Sequence, residues 1–421
     1  MASAARTTAF ARVTALAGRR PTHAAFAWLH GNPKKIMDWH MAAVAIPAPP
    51  FGEQARGKWL ADRFTEAGLA QVHTDEVGNV LGFLNPADQH PESTGPIVVL
   101  SAHLDTVFPP GTPIRPLLSE RDGADRLEAP GASDNGAGIA GMLALVHALI
   151  QGRVSPPVPL LFAGNVGEEG EGDLRGIRHL YASSFAGRIA AHIVLDGAGA
   201  DSAVTQALGS RRFQVAITGP GGHSFTDAGT PNPIAALAAA LAGLMKTPVP
   251  EAPRTTMNLG TILGGTSVNS IPESAVATID FRSTSMDELV RLEVALHRAV
   301  EDAVEFANTH ARSSAARGKL VFTITKIGDR PAAQLPDDSP ALDALRAVDR
   351  RLEIRTTVRL GSTDANVPLS LQIPALSVGA GGDGGGAHTL GEWYSSKHRE
   401  LGLKRALLLT LAMLDWAAEN L

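Results

Sequence analysis

The sequence predicts an α/β protein interrupted by a ferredoxin-like βαββαβ insertion. Three observations carry this reading. Apolar runs of strand length end in polar residues, as Ile97-Val98-Val99-Leu100 does before His103 and Asp105. Helical stripes alternate with those runs, the pattern of a mixed sheet lying between helices. From about residue 210 the order becomes strand, helix, two strands, helix, strand, which is the split βαβ arrangement.

In chain order, residues 24–45 read as one partly amphipathic helix, and Pro47, Pro49 and Pro50 make residues 46–53 a stiff turn. Residues 54–69 form a helix that turns Trp59, Leu60, Phe64 and Leu69 inward, and 77–83 form a strand. The strand ending at His103 is followed by a loop. The helix over 136–150 buries Ile139, Met142, Leu143, Val146 and Leu149. His147 on that helix reads as a packed or solvated side chain. In the insertion, strands are expected at 213–218, 255–263, 275–281 and 320–327, with helices at 233–245 and 286–309. The longer helix repeats Leu289, Leu292, Leu296, Val300 and Val304 at helical spacing. After Pro331 come a helix at 341–351, strands at 357–359 and 375–378, and a closing helix at 404–418. The first domain is therefore discontinuous, 1–211 with 329–421, and 212–328 is the insertion.

Composition narrows the function. The chain has 421 residues, 44% hydrophobic and 19% charged, and a net charge of −5, which argues against nucleic acid as a partner. It has no cysteine, so any metal must be held by His, Asp or Glu. No apolar run reaches the roughly 20 residues that span a bilayer. The first twenty residues carry Arg6, Arg12, Arg19 and Arg20 and no acid. They read either as a transit-type leader or as an alanine-rich helix; the helix is favoured and the expected location is cytoplasmic.

Metal-competent residues recur at strand ends and in loops. Asp134 precedes the 136–150 helix, Glu168-Glu169 follow the run Pro159-Leu160-Leu161-Phe162-Ala163, Asp196 follows Ile193-Val194-Leu195, and His388 follows a glycine-rich loop. Strand carboxyl ends are where open α/β sheets bind ligands. Each residue alone has a plainer reading: Asp134 as the helix cap, Glu168-Glu169 as a solvated turn, Asp196 as a turn residue, His388 as a loop end. One site explains them together. Two divalent ions ~3.5–4 Å apart polarise a carbonyl and activate water. Asp134 would bridge them, with His103 and Asp196 on one, Glu169 and His388 on the other, and Glu168 left to move protons.

The ordered set Ser101-Ala-His-Leu-Asp-Thr106, Gly131-Ala-Ser-Asp-Asn-Gly136, Gly167-Glu-Glu-Gly170, Leu195-Asp-Gly197, Gly221-Gly-His-Ser224, Gly264-Gly-Thr-Ser-Val-Asn-Ser-Ile-Pro272 and Ala387-His-Thr389 resembles the co-catalytic zinc metallopeptidases. That family includes peptidase T, carnosinase-like dipeptidases, acetylornithine deacetylase and glutamate carboxypeptidase, and the chain looks most like its peptidase T side. The resemblance implies a zinc-exopeptidase-like catalytic domain with an inserted lid and dimerisation domain. It implies the ligand roles above, with Asp105 orienting His103 and Glu168 as general base. It implies that His223 reaches a neighbouring subunit's site and stabilises the oxyanion, and that Arg282 and Asn269 hold substrate. Many relatives follow the bridging aspartate with aspartate–lysine or methionine–lysine, where this chain has Asn135-Gly136.

The expected function is a cytoplasmic, homodimeric metal-dependent exopeptidase cleaving di- or tripeptides with a free amino terminus. Its cofactors would be two divalent ions per chain, zinc first, cobalt or manganese otherwise. Asp196 marks the peptidase T and dipeptidase lineage, because deacetylase relatives tend to carry Glu there. The alternatives are an N-acyl amino acid deacylase, a carboxypeptidase, or a non-catalytic metal- or peptide-binding protein on the same scaffold. Retention of Glu168 argues against the last.

Overall fold

A computed structural model describes residues 2–85, 95–312 and 318–420. The chain forms two compact units, one made of the residues up to Ala207 and those from Gln334 onward, the other of Leu208–Ala333.

The first unit is built on a mixed sheet. Its strands lie in the order Ala70–Thr74, Val80–Leu84, Leu160–Asn165, Ile97–His103, Ile189–Leu195, Ala375–Val378, Ser202–Ala207, Ala333–Gln334, and Thr357–Gly361 also pairs with Ser202–Ala207. The four strands from Leu160–Asn165 to Ala375–Val378 run parallel. They are buried along their whole length, which is why they read as continuous apolar runs. Helices Gln54–Ala67, Gly136–Gln151 and Arg399–Asn420 cover one face. On the other, Leu174, Ile177, Leu180 and Val367 pack against Ile97, Val99, Leu161 and Ala163.

Three differences from the sequence reading have local causes. The single helix expected over 24–45 is two, Arg20–Gly31 and Pro33–Val44. Pro33 cannot donate a backbone hydrogen bond and disfavours helical backbone at the residue before it, and Asn32 sits at φ −123°, ψ 36°. The strand expected over 77–83 is Val80–Leu84, paired with a separate strand, Ala70–Thr74. The loop after His103 contains a hairpin, Leu117–Arg121 with Ala124–Glu128, which joins Asp383–Gly385 and Trp393–Ser395 in a small four-stranded sheet. Leu117–Arg121 is exposed throughout, so no hydrophobic alternation announces it.

At the N-terminus, Ala2–Gly18 is helical. Val13 and Leu16 are buried, and Arg12 and Arg19 pair with Glu419 and Asp415 of the last helix. His147 is stacked on Trp39, with ring centroids 4.6 Å apart. No described helix is long and apolar enough to cross a membrane.

The second unit is a βαββαβ fold. Strands Thr255–Gly264, Ser274–Ser283, Gly209–Thr218 and Val321–Arg330 lie side by side in that order, every neighbour antiparallel. Helices Pro233–Leu244 and Met286–Thr309 cover one face, where Phe213, Val215, Ile279 and Phe281 meet Leu237, Leu241, Leu292 and Leu296. Asn232 caps the first helix by accepting from the N–H groups of Ile234 and Ala235, and Ser285 caps the second from Glu288. A short antiparallel strand pair, Gly222–His223 with Ser270–Ile271, forms a two-stranded sheet separate from the main one.

Candidate metal centre

The first unit gathers seven of the expected site residues. His103 is the last residue of its strand, Glu168 and Glu169 follow Leu160–Asn165, and Asp196 follows Ile189–Leu195. All four stand at the carboxyl ends of adjacent parallel strands, where the sheet leaves backbone and side chains open to a ligand. Asp134 lies in the loop before Gly136–Gln151, and His388 in the turn between Asp383–Gly385 and Trp393–Ser395, at φ +65°.

Asp134 is the centre of the arrangement. Its Oδ1 lies 3.0 Å from His103 Nε2, and its Oδ2 lies 3.1 Å from His388 Nε2. His103 Nε2 is also 3.7 Å from Asp196 Oδ1, and His388 Nε2 is 3.2 Å from Glu169 Oε1. Each imidazole thus faces two carboxylates, and the two trios share one aspartate. Donors bound at about 2.0–2.1 Å to one tetrahedral ion stand roughly 3.3 Å apart. The four spacings, 3.0, 3.7, 3.1 and 3.2 Å, bracket that value. His103, Asp134 and Glu169 also offer ligand atoms that all lie within 4.8 Å of one another.

Asp105 organises the backbone around the cluster. Its Oδ1 accepts the Glu168 N–H at 3.0 Å and its Oδ2 the Glu169 N–H at 2.8 Å. His103 Nδ1 lies 3.1 Å from the Asp105 carbonyl and 3.5 Å from Oδ1, so Nδ1–H is the donor there, which leaves Nε2, on the Asp134 side, as the nitrogen that would ligate a metal. Behind it, buried Arg56 donates to the carbonyls of Leu104 and Ile46.

The electrostatics favour a cation. Asp134 and Glu169 push the His388 imidazole up to about 10. Burial alone would lower His103, but Asp105, Asp134 and Asp196 carry it well above its ordinary value. Burial alone would raise Asp134, but His103 and His388 hold it well below the usual carboxylate range. The group is therefore preorganised to accept positive charge.

Several supporting residues stand outside the set that the sequence singles out. Asn135, not Asp134, caps the helix: its Oδ1 accepts from Gly138 and Gly197 N–H, and its Nδ2 donates to the Leu195 carbonyl. A Cβ at Gly138 would stand 2.1 Å from that Oδ1, which explains the glycine. An asparagine before a helix start was the available cue. Asn165 donates to buried Asp364, whose carboxyl burial pushes up to about 7. Glu392 accepts three backbone N–H groups from the loop that carries Asp134.

The other three expected residues belong to the second unit. His223, in the short strand pair, and Asn269, just before it, are neighbours, and Ser224 N–H donates to the Asn269 carbonyl at 3.0 Å. His223 Nδ1 accepts from the N–H groups of Phe225 and Thr226, so the neutral ring carries its proton on Nε2. Arg282 is not with them. It lies eight residues along Ser274–Ser283 from the end that follows Ser270–Ile271, roughly 26 Å at strand rise, and its Nε donates to Asp280.

Fold and site together define a class: a mixed α/β sheet that carries, at its strand ends, two His–carboxylate trios sharing an aspartate. Residues 99–412 match peptidase family M20/M25/M40, and the chain belongs to that family. Among curated relatives, the "Probable carboxypeptidase" of Neosartorya fischeri is 28% identical over 299 residues, 65% of this chain and 66% of that protein, just under two thirds of its length. The crystal structure of aminopeptidase PepT from Bacillus cereus is similar with a TM-score of 0.68 at 21% identity, covering 91% of this chain and 98% of that one. The YXEP protein of Bacillus subtilis, described as a dinuclear metal binding peptidase of the M20 family, has a TM-score of 0.63 at 16% identity, over 92% of this chain and 99% of its own.

Proposed function

We propose that the protein is a two-metal hydrolase that cleaves the amide bonds of short peptides. The observation that carries this reading is Asp134, whose two oxygens each face one imidazole. His103, Asp134 and Asp196 would hold one divalent ion, and His388, Asp134 and Glu169 the other; the donor set suits zinc, cobalt or manganese. When bound, such a pair polarises a carbonyl and makes water acidic. Glu168 takes a proton from the attacking water and gives it to the amide nitrogen as the C–N bond breaks. Asp105 fixes the His103 tautomer and holds the backbone of Glu168 and Glu169. His223, with its proton on Nε2, is a donor suited to a developing oxyanion. Asn269 beside it is assigned to substrate contact, and Arg282, paired with Asp280, to a substrate carboxylate. A homodimer formed through the Leu208–Ala333 unit, from sequence resemblance, and a cytoplasmic location, from the helical reading of the first twenty residues, complete the proposal.

Substrate class is tested by comparing free tripeptides, N-acetylated tripeptides and N-acyl amino acids at equal concentration with metal present. The aminopeptidase reading expects rapid release of the amino-terminal residue from free tripeptides alone. Release of the carboxyl-terminal residue from blocked and free tripeptides alike would replace it with the carboxypeptidase reading, which the Neosartorya relative favours. N-acyl amino acids as much the best substrates would make the protein a deacylase.

The trans assignment of His223 has its own check. His223→Ala and Glu168→Gln chains are each expected to be nearly inactive, and verified mixed dimers should regain part of the activity, because one site then has both wild-type residues. Mixed dimers no more active than the parents would remove His223 from the partner's site.

A further inference from the structure

The turn that carries His388 also carries Glu392. Glu392 is 1% exposed, and its carboxylate points into the loop before Gly136–Gln151. Oε1 accepts the N–H groups of Ser133 and Asp134 and Oε2 that of Gly131, all at 2.7 Å. The Glu392 carbonyl accepts from Ala129 N–H at 3.1 Å. A carboxylate receiving three amide protons in a buried place makes strong, charge-assisted hydrogen bonds. On the same loop, His40 Nε2 lies 2.6 Å from the Ala132 carbonyl.

The loop has a second tether. Asn135 ties it to Leu195 and Gly197, the residues on either side of Asp196. The two tethers go to different places: Asn135 to the backbone of the His103–Asp196 trio, Glu392 to the turn of the His388–Glu169 trio. We propose that Glu392 is a positioning residue that sets the span between Asp134 Oδ2 and His388 Nε2, and with it the affinity of one metal position and not the other. This rests on the two-metal reading above. Glu392 touches neither ligand's side-chain donor atoms; it acts through the backbone on one side and through its own turn on the other. Residues that orient metal ligands are typically worth ~10–100-fold in metal affinity.

The test is calorimetric titration of metal-free protein with zinc, and with cobalt as a second probe. Wild type should bind two ions per chain. Glu392→Gln keeps the shape but turns one acceptor oxygen into an amide that confronts a backbone N–H. It should bind one ion with wild-type affinity and the other ~10–100-fold more weakly, measured well below the melting temperature of each metal-free protein, which the lost buried hydrogen bond lowers in the variant. In a His388→Ala background, Glu392→Gln should cost nothing further, because the position it serves is already lost. Glu392→Asp, which keeps the charge at shorter reach, gives the same comparison should the glutamine variant not accumulate folded. Two ions bound with wild-type affinities would overturn the proposal, as would equal weakening of both positions, or additive losses with His388→Ala. Wild type binding fewer than two ions would instead sink the two-metal reading, and this proposal with it.

Discussion

Glu168→Gln should leave metal content at the wild-type level while turnover falls by about 10²–10⁴-fold, the usual worth of general acid–base catalysis. The prediction separates two adjacent glutamates. Glu169 Oε1 faces His388 at 3.2 Å, whereas the observed hold on Glu168 near the cluster is through its backbone N–H on Asp105. An amide at position 168 preserves size and burial but cannot take a proton from water. Metal content measured by elemental analysis and turnover on a cleaved tripeptide check it together. Near-normal turnover would remove Glu168 from the proton path; loss of metal would make it a ligand.

Asp134→Ala should have the other large effect: metal content falls from two per chain to one or none, and turnover falls at least as far as for Glu168→Gln. The aspartate is shared, so its removal strips a carboxylate from each trio at once. His103 keeps Asp196, and His388 keeps Glu169. Because Asn135 and not Asp134 caps the following helix, the substitution spares the cap. Chelators should abolish wild-type activity and added divalent metal restore it. Two ions retained after Asp134→Ala would refute the bridging role.

How far these elements were legible depended on what the environment demands of each side chain. The long helix of the insertion was readable residue by residue, since its stripe from Leu289 to Val304 has one core to meet. Ala375–Val378 was readable as a buried apolar run. The exposed Leu117–Arg121 strand was not, because nothing selects its pattern, and the break at Asn32 rests on Pro33 alone, against helical spacing that continues on both sides of it. At the site, residues offering donor atoms were nameable because the chemistry restricts their type. The residues that hold those in place were not. Glu392 and Asn135 act on backbone amides brought near from distant segments, and only the fold reveals which amides those are. For Arg282 the substrate role came from the family resemblance alone, and its Nε donates to Asp280, the neighbour its own sequence context offered.

The interior place of Ala375–Val378 bears on the order in which the molecule can be made. That strand lies between Ile189–Leu195 and Ser202–Ala207, and it is synthesised after the whole Leu208–Ala333 unit. During translation the first unit must therefore wait with a gap in its sheet while the second emerges, and a domain that is contiguous in sequence can fold meanwhile. Asp134 meets its second imidazole only when residue 388, 254 positions later, has left the ribosome. A nascent chain that stops short of residue 388 carries His103, Asp134, Glu169 and Asp196 but has half a bridge, so the shared aspartate gains its second imidazole only after the Leu208–Ala333 unit has emerged.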